Sequence, residues 1–216
     1  MSTTETSQNT KHVRLTRAQA KEQTREHLLE AAERVFVEKG FHAATLDQVA
    51  EDAGYTKGAV YSAFESKADL FLAIFAERSR RRAEEFSALA LHARSIADLD
   101  PAGVDRSIQT MREEREWSML LVEFEVHAAR DPALCERLAG IQRALRSSMG
   151  EAIRVAVAAS GEGMVVPAEQ LMVAIVALSN GFVLEGMTGA SADAPEAFRE
   201  AVEWLVRGAL ASGDLP

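Results

Sequence analysis

The chain has 216 residues, 47% of them hydrophobic, which is material for one sizeable core or two small ones. A formal charge of −9 excludes a general nucleic-acid coat, because such proteins neutralise phosphates with surplus cations; a small positive surface on an acidic body stays open. One cysteine, Cys135, excludes an intrachain disulfide framework and fits a reducing cytosol, whether it is a redox sensor or a plain thiol.

The first residues lack the apolar core of a signal peptide. The longest strongly apolar run, Leu171 to Leu178, is far short of the roughly 20 residues that cross a bilayer. The expectation is a cytoplasmic chain with no membrane partner. Met1 to Thr10 is Ser/Thr-rich without an apolar run and reads as disordered. Residues 1–16 form a polar arm made basic by Lys11 and Arg14, and Arg17, Lys21 and Arg25 continue the basic run into the first helix. Such an arm either adds phosphate or minor-groove contacts or serves as a solubilising tail.

A first helix is predicted from Arg17 to Lys39, with Leu28, Ala32, Val35 and Phe36 as its apolar stripe, Gly40 as its end and Phe41 folding back as a core plug. Thr45 then opens a T-x-x-Q capping box with Gln48. Leu46, Val49, Ala50 and Ala53 fall at i, i+3, i+4 and i+7, and Gly54 closes the helix in the left-handed conformation. Thr56 caps a second short helix whose buried residues are Val60 and Phe64. Helices this short need the first one as a base. The result is a tri-helical unit that turns Thr56, Lys57, Gly58, Tyr61 and Ser62 outward. In a helix-turn-helix, the second helix enters the major groove with its N-terminal residues nearest the bases. Lys57 suits guanine acceptors or phosphate, and Gly58 allows close approach. On spacing alone, any helical bundle could also contain helix-Gly-helix.

The run from Arg25 to Leu72, REHLLEAAERVFVEKGFHAATLDQVAEDAGYTKGAVYSAFESKADLFL, carries more specific marks. They are Phe36, Gly40 and Phe41; Ala44-Thr45; Val49-Ala50 and Ala53-Gly54; and Tyr61, Phe64, Ser66 and Lys67 followed by Leu70. This run strongly resembles the DNA-binding domain of the TetR family of bacterial transcriptional regulators. The resemblance implies that Thr45, Tyr61 and Lys67 hold phosphates while Thr56, Lys57, Gly58 and Ser62 face base edges or sugars. Lys67 also begins a helix that Ser66 can cap, where free N–H groups attract an anion. Many members carry an aromatic residue or His where this chain has Ser62 and Ala63, which shifts weight to Tyr61, Lys67 and the arm. Tyr61 equally suits a ring packed among the helices with its hydroxyl exposed.

Beyond Leu70 every segment reads as helix, with no strand alternation or hairpin signal. One helix runs from Lys67 to about Ala93, with Leu70, Phe71, Ile74 and Phe75 inward and Arg78–Arg82 facing water; it links the reading unit to a second domain. A break at Ala97–Gly103 precedes a short helix around Asp105 to Glu113. Trp117, Leu120, Leu121, Phe124 and Ala128 form the next stripe. Asp131 and Pro132 then start a helix along Leu134, Leu138, Ile141, Leu145, Ala152 and Ile153. The domain expectation is residues 17–66 for DNA binding, with the motif at 45–64, and 67–216 for ligand binding and dimerisation. The fold expected is all-α with about nine helices.

Pro167 opens a helix that is apolar on every side from Leu171 to Leu178, so it needs cover from more than one direction. A last helix begins at Asp193, with Phe198, Ala201, Val202, Leu205, Val206 and Ala209 on one face and Trp204 off it. The simplest solution is a second copy. The predicted homodimer interface is Leu171, Ile175, Leu178, Gly181, Phe198, Val202, Trp204 and Leu205, in keeping with the four-helix dimer bundle that the resemblance implies. A two-fold dimer implies a palindromic operator in double-stranded DNA. The resemblance also implies a small-molecule effector within the bundle. Met111, Trp117, Leu120, Phe124, His127, Met149 and Phe182 are the candidate lining residues, each also suited to ordinary core packing. Glu123 and His127, at i and i+4, offer a polar contact or half of a metal site with no second half. No catalytic residue, metal or cofactor is implied, because H-E-x-x-H, G-x-S-x-G and phosphate-binding Gly loops are missing. The leading expectation is a repressor released from its operator by a small apolar ligand. The alternatives are a ligand-independent DNA-bound or protein-interaction factor on the same fold and, more remotely, an all-helical enzyme.

Overall fold

The computed structural model describes residues 16–92, 115–188 and 194–210. Within them the chain forms eight helices and no strand: α1 (Arg17–Ala43), α2 (Leu46–Asp52), α3 (Lys57–Ala63), α4 (Lys67–His92), α5 (Arg115–Ala128), α6 (Pro132–Ser160), α7 (Ala168–Thr188) and α8 (Ala194–Ala209). The expected N-terminal arm below Thr16, the short helix at 105–113 and Met111 lie outside the described residues.

Local chemistry explains the boundaries. Thr16 and Gln19 close a reciprocal capping box at the start of α1, as Thr45 and Gln48 do for α2. The Thr56 hydroxyl accepts from the Ala59 N–H, and Asp131 accepts from the N–H groups of Ala133 and Leu134 with Pro132 in the first turn of α6. Ser66 accepts from the Asp69 N–H at 3.0 Å and opens α4. Gly54 sits at φ 70° between α2 and α3, where a Cβ would be strained. Gly40 interrupts the helix where a stop was predicted, as a kink within α1. Gly40 takes φ 77° and ψ 162°, and a final helical turn follows it to Ala43.

Two apolar clusters hold the elements together. The first joins Leu28, Phe36 and Phe41 of α1, Val49 of α2, Val60 of α3 and Leu70, Phe71 and Ile74 of α4 to Trp117, Leu120 and Phe124 of α5 and Leu134 of α6. It passes through the α3–α4 junction without a break, so the reading unit rests on α5. The second gathers Met149, Ile153 and Val157 of α6, Leu171 and Met172 of α7 and Phe198, Val202 and Val206 of α8. α4 and α6 pack through small residues, with Ala90 against Ala152 and Ala156.

α7 differs from its expectation in one respect. Over Ala168–Met187, 20 residues, the mean hydropathy is 1.5, so the helix is long and apolar enough to cross a membrane by length and composition. The uninterrupted run of eight is shorter because Glu169 and Gln170 precede it and Ser179, Asn180 and Gly181 follow it. Only 11% of the stretch is buried within the chain. Arg78 also departs from the predicted water-facing run: its guanidinium lies 4.3 Å from the Trp117 ring centre and pairs with Glu33, tying α4 to α1 and α5.

Candidate nucleic-acid interface

α3 is a two-turn helix held by Val60, which is fully buried, and by Phe64 just after its end. Burying these two on one side leaves Thr56, Lys57, Gly58, Tyr61 and Ser62 on the other, all exposed. Tyr61 is 57% exposed, so the reading as a ring packed among the helices does not describe it. A Cβ added at Gly58 would meet only the Thr56 hydroxyl, at 3.9 Å, leaving its backbone open to a close-approaching surface. Thr45 is exposed at the N-cap of α2 beside this face. Its oxygen accepts from the Gln48 N–H, so the hydroxyl hydrogen is left for an acceptor such as phosphate. The Ser62 hydroxyl instead donates to the Ala59 carbonyl at 2.8 Å.

One group on this face was not singled out by sequence. Asp47, in the first turn of α2, holds the Lys57 ammonium at 2.5 Å. That hydrogen bond, followed by the charge of Asp47, raises the Lys57 pKa above the usual lysine value. The available signal was an acid in the first turn of the supporting helix, ten residues before Lys57. Arg25, expected with the basic residues that follow the N-terminal tail, has its guanidinium 4.7 Å from the Phe64 ring centre. Arg17, Lys21 and Arg25 recur at i, i+4 and i+8 along α1, so a basic stripe leads to the C-terminal end of α3.

Lys67, expected among the phosphate-holding residues, is half-buried at the start of α4, and two of its three ammonium protons are engaged within the protein. It donates to the carbonyls of His42 at 2.9 Å and Ala44 at 2.8 Å and lies 4.7 Å from the Phe41 ring centre. Burial lowers its pKa, and the Glu123 charge opposes that shift. Glu123 accepts from the N–H groups of Phe41 and His42. His127 lies against the Phe41 and His42 rings, with centroids at 4.9 and 5.4 Å. Among the described residues no group of three His, Cys, Asp or Glu side chains is arranged to hold a metal.

The candidate effector residues do not converge. Trp117, Leu120 and Phe124 are buried in the first cluster, where Phe124 and Trp117 stack on Phe71 at 3.9 and 5.6 Å. Met149 and Phe182 belong to the second cluster, with Phe182 edge-on to Phe198 at 5.5 Å. A groove of about 640 Å³ lies among Arg25, Phe64, Asp69, Leu72 and Arg137, and another of about 350 Å³ lies between α4 and α6. None of the candidate residues lines either groove. The candidate dimer residues also divide. Leu171, Phe198 and Val202 are buried inside the chain, and Ile175, Leu178 and Leu205 are half-buried. Gly181 faces open space and Trp204 is 68% exposed.

Residues 28–74 match the family model described as bacterial regulatory proteins, tetR family. Residues 101–211 match the one described as BetI-type transcriptional repressor, C-terminal. The transcriptional repressor AcnR of Corynebacterium efficiens is 29% identical over 188 residues, covering 85% of this chain and 93% of that protein. The transcriptional regulator TtgR of Pseudomonas putida is 38% identical over 96 residues, 44% of this chain and 43% of that one. A TetR transcription regulator from Haloarcula marismortui superposes with a TM-score of 0.71 at 17% identity, covering 88% of this chain and 99% of that chain. FadR from Bacillus subtilis in complex with stearoyl-CoA superposes with a TM-score of 0.67 at 14% identity, over 85% and 98%. At such identities the superpositions show the fold alone. With family models matching both its reading unit and the greater part of its remainder, the chain belongs to the TetR family of DNA-binding transcriptional regulators, which are not enzymes.

Proposed function

We propose that the chain acts in the cytoplasm as a homodimeric repressor that seats α3 of each protomer in successive major grooves of a palindromic operator and leaves it when a small apolar ligand binds. The observation that carries the DNA reading is the single outward face of Thr45, Thr56, Lys57, Gly58 and Tyr61, on a unit whose opposite side is anchored by Val60 and Phe64. Phosphates meet Thr45 and Tyr61, and Lys57 donates to guanine in the groove.

The dimer reading rests on α7 and α8. Val173, Leu184 and Trp204 leave an apolar surface open, while Leu171, Met172 and Phe198 on the inner side of the same helices are built into the second cluster. A helix with one edge built into a protein core is suited to cover by another copy, and less to lipid on all sides. The ligand reading draws on the solved complex of FadR with stearoyl-CoA, a structural neighbour with an apolar acyl ligand. The stacked Phe71, Trp117 and Phe124 favour a second reading, a ligand-independent factor, because a ligand there would have to displace a filled core.

Selection from a random duplex pool of about 30 base pairs, long enough for two half-sites a helical turn apart, tests the first reading. Enrichment of a palindrome, with binding lost in K57A, is the expected outcome. A pool that enriches no sequence at about 150 mM salt sinks it. Adding long-chain acyl compounds to the enriched complex separates the two readings of the body, since release supports the ligand-responsive one.

A further inference from the structure

The segment from Phe41 to Ala44 leads directly into Thr45, the N-cap of the helix beneath α3, and it is gripped from two sides. On one side the Glu123 carboxylate of α5 accepts from the Phe41 N–H at 2.9 Å and the His42 N–H at 3.0 Å, one oxygen to each. On the other, the Lys67 ammonium donates to the carbonyls of His42 and Ala44. Gly40 makes the first grip geometrically available: a Cβ there would stand 3.0 Å from a Glu123 oxygen. Its φ of 77° turns the following N–H groups away from their own helix. Charge-assisted hydrogen bonds of this kind are about twice as strong as neutral ones, and here they join elements 82 residues apart.

Neither grip lies on the exposed face of α3. The geometry points to Glu123 as a positioning residue for DNA recognition: from behind the reading face it holds residues 41–44 in the conformation that presents Thr45 and α3 to the duplex. This rests on the DNA-binding reading of α3. It assigns to the body of the molecule one carboxylate whose position sets the binding-competent fraction of the reading unit. Apparent affinity falls by that fraction.

The test uses the full chain and the duplex that wild type enriches from the random pool. A wild type that enriches nothing overturns the DNA reading itself, before any variant is made. With that duplex in hand, E123Q is expected to bind about tenfold more weakly, the factor for a competent fraction reduced to a tenth. Its dependence on salt should match wild type, because no phosphate contact is lost. Linkage adds a measurement that needs no variant: if the grip favours DNA, bound duplex must slow amide exchange at Phe41 and His42 in wild type. Unchanged affinity in a folded E123Q overturns the proposal. So does exchange at both amides indifferent to DNA. If E123Q loses its cooperative melt, the wild-type exchange measurement decides alone.

Discussion

Lys57 reaches the reading face already paired, with Asp47 as its counter-ion. Both side chains are largely exposed, so the pair adds little to stability. Its consequence is for binding. A lysine half-neutralised by its own protein attracts phosphate weakly but keeps two further donors for a base edge. D47N is therefore expected to strengthen binding to random-sequence DNA, steepen the salt dependence by about one phosphate and lower the ratio of operator to random binding. Titrations of both duplexes at several salt concentrations measure all three effects, and equal weakening on both would refute the role. Glu125 is the other informative residue. It is half-buried on α5, accepts from the Gln142 amide at 2.8 Å, and burial raises its pKa above the usual carboxylate value. A raised folded pKa contributes stability below the unfolded value, and that contribution is lost as pH rises through the folded one. E125Q keeps the acceptor and removes the charge, so its Tm should exceed wild type at pH 7 and converge with it near pH 4. A lower Tm at pH 7 would show that the charge has a favourable partner.

At the scale of elements, the kink in α1 and the start of α2 form one device. Gly40 occupies a backbone region that is essentially glycine-only, and the space beside it belongs to Glu123. G40A is expected to cost about 2–3 kcal/mol, visible as a lowered denaturation midpoint at unchanged m-value. A loss within about 0.5 kcal/mol would mean that the turn relaxes freely. α2 and α3 are each seven residues long and too short to persist alone. They survive because Val49 and Val60 reach the same cluster as Phe36 and Phe71. The short motif, the long α1 and α4, and α5 are thus energetically one unit, with Arg34 to Asp52 at 2.7 Å and Arg137 to Asp69 at 2.6 Å fastening its edges.

For the whole molecule, α7 and α8 carry an uncovered apolar surface at Val173, Leu184 and Trp204. Trp204 is the largest exposed apolar side chain, on a helix whose opposite face is filled by Phe198, Val202 and Val206. W204E should leave the protomer folded, because it removes no buried contact, while shifting a dimer toward monomer in light scattering. The palindromic duplex should then bind far more weakly than before. A W204E chain that stays dimeric would remove Trp204 from the interface.

The helices and the reading face were legible in the residues because their causes act within a turn or two. Thr45 with Gln48, Asp131 with Pro132, and Gly54 at its left-handed φ each declare a boundary through contacts a few positions apart. Periodicity likewise placed Val60 and Phe64 inside and Tyr61 outside. The Lys67 contacts were not legible because the carbonyls of His42 and Ala44 stand more than twenty positions away, and a lysine at a helix start suits phosphate and carbonyl alike. Glu123 was noticed only beside His127, one helical turn on, while its real partners lie 81 and 82 positions upstream. On α7 periodicity was silent, since every side is apolar. Folding assigned Leu171 to the interior and Val173 to the outside, because only packing in three dimensions distinguishes two greasy faces of one helix.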